Sequence, residues 1–268
     1  MQYDPIKRRM GGFFKKSPFL RKSFYFLLDL LLLRTWHVHK ELRKWKRNKG
    51  ADLNILDAGC GFGQYTWYLS RMNASWKVKG LDVKEEEIKE CSEFFRQQKR
   101  SNVSFEVADL TCLNDIDKYD LVISVDVMEH IEEDVKVFAN FFNALKPGGM
   151  LLVSTPSDQG GSDVHEMDDK SFIEEHVRDG YNMRDLEEKL KRVGFSHVNI
   201  KYQYGTSGKI SWKLSMKYPV LMLGWSKWMI ILLPFYYLIV YPFCFILNCL
   251  DVWTSHTRGS GLIAKAWK

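Results

Sequence analysis

The chain has 268 residues, 46% of them apolar, and a formal net charge of +6. That apolar content supports a full hydrophobic core and excludes a disordered chain. The five cysteines are odd in number and include no Cys-x-x-Cys pair, which argues against a disulfide framework and a metal knuckle and fits a reducing cytosol. The charge is unevenly divided: residues 1–50 hold 14 Lys/Arg against 3 Asp/Glu, residues 51–200 hold 17 against 29, and residues 201–268 hold 8 against 1. An acidic middle speaks against a nucleic-acid substrate lying across that face, whereas basic flanks rich in Trp, Phe and Leu suit an anionic membrane surface.

Residues 1–16 are basic and no small-residue cleavage site follows them, so a cleaved leader is not expected. Ser17-Pro18 reads as a helix start, with serine at the cap and proline in the first turn. Residues 19–37 then form one predicted helix, whose apolar run from Phe24 to Trp36 is interrupted by the charges of Asp29 and Arg34 and flanked by Lys15, Lys16, Arg21 and Lys22 before and by Lys40, Arg43, Lys44, Lys46 and Arg47 after. Its apolar run is too short to cross a bilayer. Two compatible expectations remain: the helix lies in the membrane interface, or it packs on the domain as a lid over a pocket.

Asn54-Ile55-Leu56-Asp57-Ala58-Gly59-Cys60-Gly61-Phe62-Gly63 joins a short apolar run to a glycine-rich turn, which predicts a strand, a loop and a helix opening at Gln64. Glycines at 59, 61 and 63 let the backbone take positive φ and a ligand lie against it. The following helix N-terminus offers free N–H groups to a carboxylate or phosphate. Dinucleotide sites ask for Gly-x-Gly-x-x-Gly, and here the third glycine comes one residue early, with Gln64 in its place. Lys77-Val78-Lys79-Gly80-Leu81-Asp82 predicts a second strand ending in a carboxylate, 19 residues past Gly63, where a ribose diol would meet a two-oxygen acceptor. A third strand runs over 103–110 with Asp109 at its end, a fourth over 119–125, and Leu145-Lys146-Pro147-Gly148-Gly149 leads into a fifth over 150–155. Strands alternating with helical stretches imply a parallel, doubly wound sheet with its ligands beyond the carboxyl ends of the strands.

In this order the stretches resemble the class I S-adenosylmethionine (SAM) methyltransferases over residues 50–200, with the glycine loop matching motif I. The resemblance implies a Rossmann-like α/β fold, a seven-stranded, mostly parallel sheet with an antiparallel last strand. It implies SAM as cofactor, with Asp57 and Gly59 facing its methionine end, Asp82 its ribose and Asp109 its adenine. Ala58, Gly61, Gly63, Val83, Leu110 and Val125 complete the expected cofactor pocket. A sixth strand over 196–204 and a seventh over 261–268 are expected to form the family's antiparallel hairpin, and here residues 205–257 intervene.

That insertion contains residues 229–250, which carry no charge and by hydropathy are long enough to span a membrane. A single span would strand the seventh strand on the far side of the bilayer. Two spans need roughly 40 apolar residues, and residues 218–225 offer only eight before Lys227. The expectation is a shallow helical hairpin or re-entrant element broken near Pro234 and Pro242, with Trp212, Trp225, Trp228, Tyr236, Tyr237 and Tyr241 at headgroup depth. A homodimer interface or a lid over a hydrophobic substrate is the alternative. The expected organisation is thus a basic, apolar helical extension (1–50), a SAM-binding core (51–204), a membrane-associating insertion (205–257) and a final core strand (258–268).

Asp126-Val127-Met128-Glu129-His130-Ile131 follows the fourth strand directly. For a hydroxyl acceptor His130 is the candidate base, with Glu129 beside it. His165, in a polar loop over 159–169, is a further catalytic candidate at the rim, and His176 a weaker one. Asp126, Glu129 and His130 also resemble the metal-binding trio of the ubiquinone-biosynthesis O-methyltransferases, with aspartate where that family has glutamate. Related methyltransferases carry Glu-His here without a metal, so a divalent metal is not expected. The leading expectation is a SAM-dependent methyltransferase on the cytoplasmic side of the cell membrane, acting on a hydrophobic or lipid-linked small molecule, at oxygen. A catalytically silent SAM-binding membrane scaffold is the alternative, and the glycine spacing disfavours an NAD-dependent oxidoreductase.

Overall fold

The computed structural model describes residues 17–47, 49–160 and 177–268. Seven strands form one sheet: β1 (Asn54–Ala58), β2 (Lys77–Asp82), β3 (Val103–Val107), β4 (Tyr119–Val125), β5 (Leu145–Pro156), β6 (His197–Gln203) and β7 (Gly261–Trp267). Their order is β3-β2-β1-β4-β5-β7-β6. β1 to β5 pair in parallel, and β7 runs antiparallel to both β5 and β6. The Rossmann-like, mostly parallel architecture is therefore present, with the sixth and seventh strands as an antiparallel pair. Because β6 is antiparallel to β7 and β7 to β5, the carboxyl end of β6 lies on the same edge as those of β1, β4 and β5.

The middles of the central strands, Leu121–Ile123 of β4 and Met150–Val153 of β5, are continuously apolar, as strands covered by helices on both faces require. One face packs Leu56, Val122 and Leu151 against α5 (Asp134–Ala144) and α6 (Met183–Arg192) through Phe138, Phe141, Leu186 and Leu190. The other packs Ile55, Ile123 and Leu152 against Leu69 of α3 (Gln64–Met72) and Val38 and Leu42 of α2 (Leu33–Lys46). Val38 and Leu42, one turn apart, are fully buried, so the N-terminal segment is part of the core.

The single helix expected over 19–37 is in fact two, α1 (Pro18–Leu31) and α2, separated at Leu32, whose ψ of 107° is extended. The break lets the two halves face different partners. From α1, Arg21 and Tyr25 reach the Phe62 carbonyl at 2.8 and 2.5 Å, while α2 lies on the sheet. The Leu30 carbonyl at the broken end accepts bonds from Trp36 Nε1 at 3.1 Å and Tyr241 OH at 2.8 Å, so the break leaves that acceptor satisfied.

Between β6 and β7 the chain makes a helical hairpin. Its outgoing arm comprises α7 (Thr206–Trp212), a π-helical turn (Lys213–Lys217) and α8 (Tyr218–Trp225); a 3₁₀ turn (Lys227–Ile231) reverses it, and α9 (Leu233–Trp253) returns. Small residues set the seam: Ser211, Ser215 and Cys244 are buried, Ser211 Oγ donates to the Cys244 carbonyl at 3.3 Å, and Tyr236 and Tyr237 hydroxyls donate to the Leu214 and Ser215 carbonyls at 2.7 Å. The hairpin was expected, but not its hinge. Pro234 sits in the first turn of α9, where no N–H is needed, and Pro242 lies inside an unbroken 21-residue helix. The reversal falls earlier, where Ser226 is extended and its hydroxyl caps Trp228 N–H at 3.3 Å.

Candidate active site

β1 delivers the glycine loop to the carboxyl edge of the sheet. Gly59, Gly61 and Gly63 all take positive φ, 79°, 50° and 81°, but for different reasons. A Cβ on Gly59 would stand 2.3 Å from Val127 Cγ2, and one on Gly63 3.1 Å from Cys91 Sγ; on Gly61 the nearest atom is Glu87 Oε2 at 3.3 Å, the flexible end of a side chain. The loop is thus held against its own protein at two glycines, and Gly61 presents the bare backbone on which a ligand can rest.

Asp82, at the end of β2, accepts from the Gly61 N–H at 2.9 Å with one oxygen and from the Lys84 N–H at 3.0 Å with the other. Those bonds fix the carboxylate's orientation while each oxygen keeps a second lone pair. Val83 follows it, exposed. Asp109 lies one residue beyond Ala108, past the end of β3, and caps the 3₁₀ turn Leu110–Cys112 by accepting from Thr111 N–H at 2.8 Å; Leu110 is buried beneath it. Asp57, 2% exposed, accepts from Thr66 Oγ1 at 2.5 Å. Burial pushes its pKa up to about 7, against the hydrogen bond from Thr66 and with the repulsion of Asp82. Ala58 is buried and Val125 half-buried at the ends of β1 and β4, so every expected cofactor residue lies along this edge or just behind it.

The turn after β4 is strained. Asp126 has φ 52° and its N–H donates to the Ser154 carbonyl at 2.9 Å. Its carboxylate pairs with Arg34 of α2. Tyr204, after β6, has φ 54° and its hydroxyl accepts from the Arg34 N–H at 3.0 Å. Two non-glycine residues in the left-handed region, both bonded to Arg34, mark this edge as a place where the fold holds unfavourable backbone. Arg34 Nε and Gln203 Nε2 are buried here without a protein acceptor. A cavity of 100 Å³, lined by Leu31, Leu32, Leu33 and Arg34, by Tyr204, and by Ser211, Trp212, Ser215 and Met216, joins this corner to the hairpin.

Glu129 is not at the rim. It is 1% exposed, accepts from Thr155 Oγ1 at 3.1 Å, and its pKa is raised by burial, partly offset by its own backbone and by His130. His130, half-buried, ends the 3₁₀ turn Met128–His130. The Asp126 carboxylate is turned to Arg34 and that of Glu129 to Thr155. Among the described residues no group of three His, Cys, Asp or Glu side chains is arranged to hold a metal. His165 and His176 lie outside the described residues. Sequence reasoning did not pick out Arg34, Tyr204 or Thr66; Arg34 read only as an interruption of an apolar run, although a charge kept inside such a run is itself a signal of a buried partner.

A seven-stranded sheet with this order, a glycine turn after β1 and carboxylates closing β2 and β3 define a class I methyltransferase fold. The family model described as a methyltransferase domain matches residues 49–213, more than half of the chain, and the chain belongs to that family. Phosphoethanolamine N-methyltransferase 1 of Zea mays is 33% identical over 161 residues, covering 57% of this chain and 30% of that protein. Ubiquinone biosynthesis O-methyltransferase of Coxiella burnetii is 28% identical over 103 residues, 38% of this chain and 43% of that protein. The chain therefore spans less than half the length of these curated relatives. Among solved structures, phosphoethanolamine N-methyltransferase 2 of Haemonchus contortus with S-adenosyl-L-methionine matches with TM-score 0.61 and 18% identity over 91% of this chain and 60% of that one. The [4+2]-cyclase SpnF matches with TM-score 0.59 and 17% identity over 87% and 81%. At these identities the structural matches speak to the fold.

Proposed function

We propose that the chain is a SAM-dependent methyltransferase that works at the cytoplasmic surface of a membrane and methylates the polar end of a hydrophobic or lipid-linked molecule. The carrying observation is the cavity between the α1–α2 break and the outgoing arm of the hairpin, lined by Arg34 and Tyr204 at the carboxyl edge of the sheet and by Trp212 and Met216 of the hairpin. SAM, when bound, supplies an electrophilic methyl group on a sulfonium. The fit rests on the chain's own groups: Gly61 leaves backbone for the ligand to lie on, and Asp82 is oriented by two N–H groups with lone pairs to spare for a vicinal diol. Asp109 and the exposed Val83 would border the adenine, and Asp57 would face the methionine ammonium.

Methyl transfer is an in-line displacement whose barrier falls mainly through positioning. Arg34 and Gln203 carry buried, unused donors at this corner, suited to an oxygen-bearing acceptor. For methylation at oxygen His130, half-buried in the turn after β4, would take the hydroxyl proton. The similarity to phosphoethanolamine N-methyltransferases favours a second reading, methylation of a headgroup nitrogen. Five free cysteines, Cys112 exposed, support a reducing compartment.

Support for the membrane comes from the hairpin. Its outgoing arm carries Lys209, Lys213 and Lys217 at four-residue spacing, one face of a helix suited to headgroups. Trp225 and Trp228 at the tip are 85% and 79% exposed, and α9 is long enough by composition to reach through a bilayer. Liposome flotation tests the reading. The wild-type protein floats, and Leu238→Glu/Ile239→Glu/Phe243→Glu remains with the soluble fraction; a wild-type protein wholly soluble in the presence of liposomes would remove the membrane from the account.

A further inference from the structure

Trp67 of α3 floors a cleft of 440 Å³ between α1, α3 and the end of α4 (Glu85–Gln97), none of whose lining residues belongs to the glycine loop or to the turn after β4. The volume falls within the roughly 300–1,000 Å³ of small-molecule sites. Three cations from three segments converge on the one indole. The Arg100 guanidinium lies 5.2 Å from the ring centroid, that of Arg71 5.6 Å, and Lys22 Nζ 5.8 Å. Like charges brought together repel, and the arrangement gains when an anion sits among them. The one carboxylate among the lining residues, Asp29, accepts from Gln64 Nε2 at 2.7 Å and offsets part of the Arg71 charge, which leaves three cations facing a single anion. Gln98 adds an amide to the wall.

The side of the cleft formed by α1 is not uniformly polar. Phe19, Lys22 and Phe26 follow at spacings of three and four, one stripe of a helix, and Phe19 and Phe26 are 75% and 64% exposed. A lysine held between two solvent-facing phenylalanines matches a molecule with an anionic head and an apolar tail.

We infer that the cleft around Trp67 is a phosphoryl-binding site, formed by Lys22, Arg71 and Arg100, that takes the headgroup of an anionic phospholipid. A phosphoryl group brings two or three oxygens within reach of three cations at once, and Phe19 and Phe26 face the acyl region. The membrane part of the proposed function makes a lipid the expected source, whereas the site itself would serve a soluble phosphorylated ligand equally well. Methyl transfer plays no part in it.

The test uses the full-length protein, a Lys22→Gln/Arg71→Gln/Arg100→Gln variant, and a control with the same change in charge, Lys136→Gln/Arg184→Gln/Lys191→Gln. Each is first shown to keep a cooperative thermal transition. Binding is measured to phosphatidylglycerol-containing and to pure phosphatidylcholine vesicles, and inorganic phosphate is titrated calorimetrically. The cleft variant should bind anionic vesicles at least about tenfold more weakly than the control variant. If the triple variant fails to fold, Arg100→Gln alone should still lose about severalfold against Lys136→Gln alone. Saturable phosphate heat that disappears in the cleft variant, without a vesicle effect, would keep the phosphoryl site and assign it to a soluble ligand. Equal vesicle binding by the two variants together with no phosphate heat would overturn the site and leave the methyltransferase reading standing.

Discussion

Two apolar stretches of this chain meet opposite fates. Met150, Leu151, Leu152 and Val153 of β5 are at most 1% exposed, between helices on both faces of the sheet, whereas Leu238 and Ile239 of α9 stand 75% and 68% exposed. Burying a side chain of that size is worth roughly 1.5–3 kcal/mol, and β5 collects that stabilisation within the fold. α9 leaves it unclaimed along its outer face, and an exposed apolar surface of such extent marks a place made for something else to cover. The contrast separates a sheet that the chain completes by itself from a hairpin that the chain only holds in place.

The join between the two regions should be the most sensitive point. Asp251, at the foot of α9, is fully buried. It accepts from the Tyr204 N–H at 3.2 Å and the Gly208 N–H at 2.9 Å, and His37 Nε2 of α2 lies 2.9 Å from it. Against the cost of burial, the bond and charge of His37 hold its pKa below the usual carboxylate value. Asp251→Ala strands those partners in the interior and should destabilise the protein by about 3 kcal/mol or more, read by chemical denaturation. It should also weaken liposome flotation, because the hairpin loses its anchor to the sheet. A loss below about 0.5 kcal/mol would mean that hairpin and core are held together elsewhere.

The sheet edge, in contrast to the hairpin, stores unfavourable charge inside the fold. Asp57 has a pKa raised to about 7 from an ordinary 3.8, so between those values the folded state binds the proton that the unfolded state has released. Stability from this group is complete below about pH 4 and lost as pH rises towards 7. Asp57→Asn should therefore leave ligand-free stability near pH 4 little changed and raise it at pH 8 by about 4 kcal/mol. Denaturation curves with the same pH dependence in both proteins would show that the carboxylate is not strained in this way.

The carboxyl edge of the sheet was legible in the sequence because its signals are local. A glycine turn after an apolar run, and carboxylates closing successive strands, each depend on a few neighbouring residues. What was not legible depends on distant partners. Gly59 looked like a glycine kept clear for a ligand, and its missing side chain makes room for Val127, 68 residues away. The break at Leu32 has no glycine or proline to announce it and follows from α1 and α2 docking on different surfaces. Pro242 looked like a hinge, yet the return helix runs through it, and the turn was set by Ser226. Glu129 followed a strand end as a catalytic acid might, and the structure sends it inward to Thr155. Arg34 could be located only once α2 had been placed against the ends of β4 and β6.

The most direct measurement presents methyl-labelled SAM to the full-length protein on vesicles of total lipid extract, with Asp82→Ala as its pair. The expected result is label in an organic-soluble product, release of S-adenosylhomocysteine, and a fall of about a hundredfold in the variant at limiting SAM, the size expected if Asp82 makes two charge-assisted bonds to the ribose. Wild-type protein that binds SAM yet leaves the label in the cofactor, or passes it only to water-soluble products, would contradict it.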